Sequence, residues 1–167
     1  SYSLAFKDLS MDRYLSINNR SNVAASVITI FIMIETFRQV EYGGISLYSQ
    51  LALTEGVKVG GTGVIRNEKA GTLFAIEELI YLMIAKSDNT ANNMLIDFLG
   101  MNNINNTIAS LGCADTSLNR YMMDQEAIEW GYENYTSVDD LCRTLEKIYR
   151  GQCISKSADA QMINMLK

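Results

Sequence analysis

Apolar and polar positions fall into one short alternating segment followed by a series of helical ones. Residues 2–9 and 14–17 alternate around the polar Ser10-Met11-Asp12-Arg13, the pattern of a β-hairpin with a short turn. Residues 18–22 are a polar connector. Residues 24–40 are apolar nearly all round, which predicts a buried helix closed by Gly43-Gly44. Residues 45–53 suit a short strand or a helical turn. Residues 56–71, with Gly60-Gly61-Thr62-Gly63 at their centre, predict a loop. Thr72 is placed to cap a helix running to Lys86, with Glu77 and Glu78 in its first turn, where the helix dipole favours acids. Ser87-Asp88-Asn89 makes a turn. Further helices are predicted over 90–99, ended by Gly100, and over 102–111, ended by Gly112. Residues 118–135 show no regular period. Thr136-Ser137-Val138-Asp139-Asp140 opens a helix to Arg150, ended by Gly151, and Ser155 opens a last one toward Lys167.

One hairpin and about six helices give an α+β, mostly helical fold class. The predicted division is a hairpin at 1–18, belonging to an incomplete sheet domain, and a helical domain over 19–167. A hairpin alone is marginal. The chain is therefore expected to be a fragment, or its sheet to be completed by another chain, so a homo-oligomer or a complementing chain is the partner expected there.

Bulk composition narrows the function. At 167 residues the chain can bury a real core, and 48% apolar with 20% charged residues is ordinary for a globular protein. The net charge of −5 and the lack of any Lys/Arg-rich run argue against nucleic acid as a partner. The longest apolar run, 27–34, is too short to span a bilayer, so no membrane span is expected. Ser1 is not a methionine, which suggests a processed or trimmed start. Cys113, Cys142 and Cys153 are widely spaced, form no Cys-x-x-Cys pair, and read as small buried thiols. There is no histidine. No metal site and no cofactor are expected, and every Ser-His-Asp or Cys-His mechanism is excluded. A reactive serine must find its base in a lysine, a carboxylate or another hydroxyl.

Two segments then carry the chemistry. Ser26 heads the apolar helix, and Ser87-Asp88-Asn89 sits between two apolar helical stretches. A serine at a helix head followed by Ser-Asp-Asn in a helix–helix turn is the pairing of serine enzymes that attack β-lactams or D-Ala-D-Ala peptides. Each half has a plainer local explanation. Serine, aspartate and asparagine are preferred N-caps, and a helix threonine such as Thr29 bonds back to a carbonyl one turn earlier.

The ordered set is more specific than its parts. Ala24-Ala25-Ser26-Val27-Ile28, Gly60-Gly61-Thr62-Gly63, Ser87 through Leu95, Thr116-Ser117-Leu118-Asn119-Arg120 and Asn134-Tyr135-Thr136-Ser137 follow one another as in a known family. The chain resembles the N-terminal hairpin and helical domain of the class A β-lactamase and D-Ala-D-Ala transpeptidase family, across essentially its whole length. The resemblance implies a cleft between a helical domain and a five-stranded sheet domain, a β-lactam or cell-wall peptide as ligand, and an extracytoplasmic location. It assigns Ser26 as the nucleophile, Ser87 as a proton relay and Asn89 as the binder of the substrate amide, with Asp88 tying the turn. Three departures accompany it. The usual lysine, three residues after the nucleophile, is Thr29. The usual deacylating glutamate after an Arg-aromatic pair is Met122, leaving Asp124 or Glu126 as the candidate acids for activating water. The Lys-Thr-Gly strand is not among these residues, and neither are the C-terminal sheet strands and last helix that surround it in the family. The expectation is a β-lactamase-like serine hydrolase scaffold, impaired or inactive as written. A non-catalytic binding module, or a structural fragment completed by another chain, is the alternative.

Overall fold

The computed structural model describes residues 2–167. In chain order the elements are β1 (Leu4–Asp8), β2 (Arg13–Ile17), β3 (Asn22–Val23), α1 (Thr29–Glu41), β4 (Gln50–Ala52), β5 (Leu73–Ala75), α2 (Ile76–Lys86), α3 (Asn89–Leu99), α4 (Met101–Ser110), α5 (Gln125–Glu129), β6 (Tyr135–Thr136), α6 (Val138–Tyr149) and α7 (Lys156–Met165). Single 3₁₀ turns occupy Ala25–Ile28, Glu55–Val57 and Ile65–Asn67.

The mostly helical α+β reading holds. α1 is the axis of the core: Ile28, Phe31, Ile32, Met33, Ile34 and Phe37 are all buried, and α2, α3, α4 and α7 pack around it. From Ile30 to Ile34 it is apolar on every side, with no face suited to water, and its polar residues gather in the last turns. One charge lies inside that packing. The fully buried Glu35 carboxylate accepts from Arg38 Nε (2.6 Å) and Nη2 (2.8 Å), Gln39 Nε2 (2.7 Å) and Thr107 Oγ1 (2.5 Å). An ion is tolerable there because its oxygens are saturated with donors, and the Thr107 bond ties α1 to α4.

β1 and β2 form the expected antiparallel hairpin, with Leu4 opposite Ile17 and Asp8 opposite Arg13. Among the described residues no third strand joins it. Instead it rests on α6. Asp139 accepts hydrogen bonds from the hydroxyls of Tyr14 and Ser16, both at 2.5 Å. Lys7 pairs with Asp12 at 2.7 Å. Between β1, α6 and α7 lies an apolar cavity of about 580 Å³, lined by Leu4, Leu141, Leu145 and Ile163 among others.

Three boundaries depart from the pattern. The helix expected over 24–40 starts as a 3₁₀ turn and becomes α-helical only at Thr29. Thr72 does not cap α2, because Leu73–Ala75 is a strand: Leu73 pairs with Ala52 and Phe74 with Leu51. The first N–H groups of α2 are satisfied by backbone carbonyls instead, Ile76 N donating to Ser49 O (3.0 Å) and Glu77 N to Leu47 O (2.9 Å). A side-chain cap is therefore unnecessary. Within 118–135 a short helix, α5, raises the number of α-helices among the described residues to seven. The glycine stops fall as expected, with Gly43, Gly100, Gly112 and Gly151 all at positive φ. The three cysteines are free, and burial, then the nearby Asp159 charge, pushes the Cys153 thiol up to about 12. No helix among the described residues is long and apolar enough to cross a membrane.

Candidate active site

The Ser26 turn is held at both ends. On one side β3 pairs with β6, and Ala24 N donates to Asn134 O at 2.8 Å. On the other, Ile28 is sunk in the core. The chain must pass from strand to helix within three residues, and Ala25 takes the strain, with φ at +44°. A left-handed L-residue other than glycine or asparagine costs about 1–2 kcal/mol. Ser26 is lifted onto the surface by this turn and is exposed. It caps nothing. Thr29, the first residue of α1, is buried. The threonine back-bond in this helix belongs to Thr36, whose Oγ1 donates to Ile32 O at 2.9 Å.

The Ser87-Asp88-Asn89 turn is built around a buried carboxylate. Ser87, exposed and left-handed at φ +50°, ends α2. Asp88 is the N-cap of α3. Its Oδ1 accepts from Thr90 N and Ala91 N, both at 3.0 Å. Its Oδ2 accepts from Val64 N at 2.6 Å and Ile65 N at 3.0 Å. Four backbone donors on one fully buried carboxylate clamp the glycine-rich loop onto the helix start. Asn89 completes the clamp: its N–H donates to Thr62 O at 3.0 Å and its Nδ2 to Gly60 O at 3.3 Å. The glycines are required by contact. A Cβ on Gly61 would stand 2.6 Å from Asn89 Nδ2, and one on Gly63 2.3 Å from Asp88 Cγ.

Loop 119–134 ties the two turns together. Its neck is closed by a reciprocal backbone pair between Ser117 and Tyr135, both bonds at 3.0 Å. Arg120 pairs with Glu133 at 2.5 Å, and Asn134 Oδ1 accepts from the N–H groups of Asn119 and Arg120. Through Asn134 the loop holds Ala24, two residues before Ser26. Through Asn93, one turn along α3 from Asn89, it is held to the second turn: Met122 N donates to Asn93 Oδ1 at 2.8 Å, and Asn93 Nδ2 donates to Met122 O at 3.2 Å.

Of the two candidate acids, Asp124 is occupied as the N-cap of α5, accepting from Ala127 N at 3.0 Å. Glu126 is exposed in the first turn of the same helix. Both line a cavity of about 510 Å³ with Asn93, Asp97, Tyr121 and Met122, and Ser26, Thr29, Ser87 and Asn89 do not border it. Beside it Tyr121 OH donates to Asp97 Oδ1 at 3.3 Å, and burial, then the Asp97 charge, holds that phenol above its usual range. Among the described residues no group of three or more His, Cys, Asp or Glu side chains could hold a metal ion. Chemically, the first turn offers an exposed serine on a strained backbone with no Lys or Arg among residues 24–32, and the second turn offers a hydroxyl and a carboxamide on a clamped backbone. Asn93 was not singled out by the sequence. Its signal was a further asparagine one helical turn after Asn89, the second of the pair Asn92-Asn93.

Comparison with known proteins identifies the family and the fold. A family model described as the beta-lactamase enzyme family matches residues 1–167. A beta-lactamase structure from Sphaerobacter thermophilus is 33% identical, with 93% of this chain and 59% of that one covered and a TM-score of 0.85. The structure of PBP-A is 28% identical, covering 98% of this chain and 60% of that one, with a TM-score of 0.90. A PBP-A mutant solved as an acyl-enzyme complex with penicillin G has the same identity and TM-score. The chain thus spans 59–61% of the length of these structures. No match was found among curated proteins.

Proposed function

The chain belongs to the β-lactamase enzyme family, and on that premise we propose that it carries the serine side of a penicillin-recognising acyl-transfer site, impaired by its own residue 29. The observation that carries this reading is the Ser26 turn: an exposed, uncapping serine on a strained backbone, with buried Thr29 where a base would stand.

In the reaction, Ser26 Oγ attacks the carbonyl carbon of a β-lactam or of a D-Ala-D-Ala peptide. The Oγ–C bond forms, the C–N bond breaks, and the serine proton ends on the leaving nitrogen. Ser87 is the relay for that proton, and Asn89 donates to the acyl amide of the ligand. Asp88 touches no ligand and is a positioning residue. A threonine hydroxyl is no base near neutral pH, so the first proton transfer loses the factor of roughly 10²–10⁴ that a general base supplies. Met122 cannot activate water, so an acyl group once formed stays on the serine.

A binding role without turnover is the second reading, and Thr29 is the observation that favours it. Intact mass of the full-length protein after incubation with a fluorescent penicillin separates the two. A slow, stable adduct mapped to Ser26 supports the impaired enzyme. Reversible binding without an adduct supports the binding module. Neither binding nor adduct overturns both.

A further inference from the structure

The tip of loop 119–134 carries a surface that the serine chemistry does not use. None of the five residues of α5 is buried, although the helix bears Ile128 and leads directly into Trp130 and Tyr132. Ile128 is 37% exposed, Trp130 73% and Tyr132 54%. Trp130 is the single tryptophan of the chain. These side chains are held in place by the backbone beneath them. Asp124 caps the start of α5. At its end Trp130 N donates to Glu126 O at 3.1 Å and, past Gly131 at φ +86°, Tyr132 N donates back to Ala127 O at 2.9 Å. The tip is presented in one shape, which lowers the ordering cost of any contact made with it.

The charge around these rings has one sign. Between Arg120 and Arg143 the chain has six acids and no lysine or arginine. Glu133 pairs with Arg120, Asp139 accepts from the hairpin hydroxyls, and Asp140 is buried. That leaves Asp124, Glu126 and Glu129 at the tip, and no ion pair among the described residues includes them. Glu126 and Trp130 stand one helical turn apart, so acid and ring are neighbours. We propose that the 125–132 tip is a docking surface for a basic polypeptide segment of a partner protein, one that carries arginine beside apolar side chains. A guanidinium stacks on the face of an indole or phenol ring and pairs with a carboxylate beside it. Apolar side chains of the same segment cover Ile128. The unpaired acids attract such a segment and repel an acidic one.

The test measures, by calorimetry, binding of the full-length protein to a synthetic peptide that repeats arginine, leucine and glycine, beside the same peptide with glutamate for each arginine. The wild type is expected to bind the arginine peptide and not its acidic counterpart. Trp130 is mostly exposed, so truncating it opens no core. Trp130→Ala should weaken binding roughly tenfold, the scale of an aromatic anchor, and Trp130→Phe should keep most of it. Glu126→Gln with Glu129→Gln should weaken it roughly three- to tenfold and flatten its salt dependence. Glu41→Gln with Glu68→Gln makes the same change of net charge at exposed acids outside the loop and should leave binding as it is. Equal losses in the two double variants would mean general attraction to an acidic protein. Binding untouched by Trp130→Ala would mean the ring is no anchor. Either result overturns the proposal, as does a wild type that ignores the arginine peptide.

Discussion

The carboxylate of Asp88 fills the space that a side chain on Gly63 would need. A Cβ there would lie 2.3 Å from Asp88 Cγ and 2.5 Å from each carboxylate oxygen, on a backbone at φ +125°. A residue without a side chain and a buried anion thus share one volume, and the loop bearing Gly60-Gly61 is seated on the start of α3 as a result.

Gly63→Ala should therefore destabilise the protein by about 2–4 kcal/mol, because the methyl must displace a carboxylate that four backbone donors hold. Asp88→Asn should cost a similar amount, roughly 2–4 kcal/mol, since an amide has one acceptor atom and must turn its NH₂ toward one of the two donor pairs. Urea unfolding of each variant measures the loss. A change below about 0.5 kcal/mol in both would show that the clamp does not stabilise the fold.

Ala25→Gly should act in the opposite direction. The strand-to-helix transition places Ala25 at φ +44°, where glycine pays no Cβ penalty. A gain of about 0.5–1 kcal/mol is expected after the extra entropy of the unfolded glycine is subtracted. A rise in Tm registers it, and a fall would mean the Ala25 methyl contributes packing that outweighs its strain.

Thr29→Lys should restore what the head of α1 lacks. A lysine there, beside an exposed Ser26, is expected to raise acylation by a penicillin by at least about a hundredfold. Hydrolysis of the adduct should remain slow, because Met122 is untouched. Burst kinetics on the full-length protein separate the two steps. Fast turnover instead of a long-lived adduct would show that another group activates water.

Acid sensitivity should centre on Glu35. Burial pushes this carboxyl up, but hydrogen bonds from Arg38, Thr107 and Gln39 together outweigh it and leave it below its ordinary value of 4.5. A depressed carboxyl contributes stability that is fully present above the ordinary value and is lost as pH falls through the folded one. Unfolding free energy should thus decline below about pH 4.5, and Glu35→Gln should flatten that decline while lowering stability at neutral pH. Parallel curves for the two proteins would assign the acid transition elsewhere.

Long-period features were legible in the sequence and contact-built ones were not. The hairpin showed in its alternation, α1 in its unbroken apolar run, and the helix ends in Gly100, Gly112 and Gly151. β3 and β6, at two residues each, are shorter than any period, so nothing in Asn22-Val23 announces its pairing with Tyr135-Thr136. Thr72 looked like a cap because capping is a local rule, whereas the pairing of Leu73 with Ala52 is not. At the site, the Ser26 and Asp88 positions were readable from their motifs. The left-handed backbone at Ala25 was not, since alanine carries no mark of it. Asp124 read as a candidate base, but its carboxylate accepts from Ala127 N, a bond that depends on α5 forming directly after it. Asn93 was hidden for a related reason: its partner, Met122, is 29 positions away.

The closed neck of loop 119–134 makes that segment a cassette. Ser117 with Tyr135, Arg120 with Glu133, and Asn134 with the two N–H groups opposite it complete the stem without help from the tip. Ala24 hangs from the stem, not from the tip. Residues 125–132 are thus free to be exchanged, shortened or diversified while the serine turn stays where it is. The Asn93–Met122 tie is the point at which such an exchange would begin to be felt at Asn89.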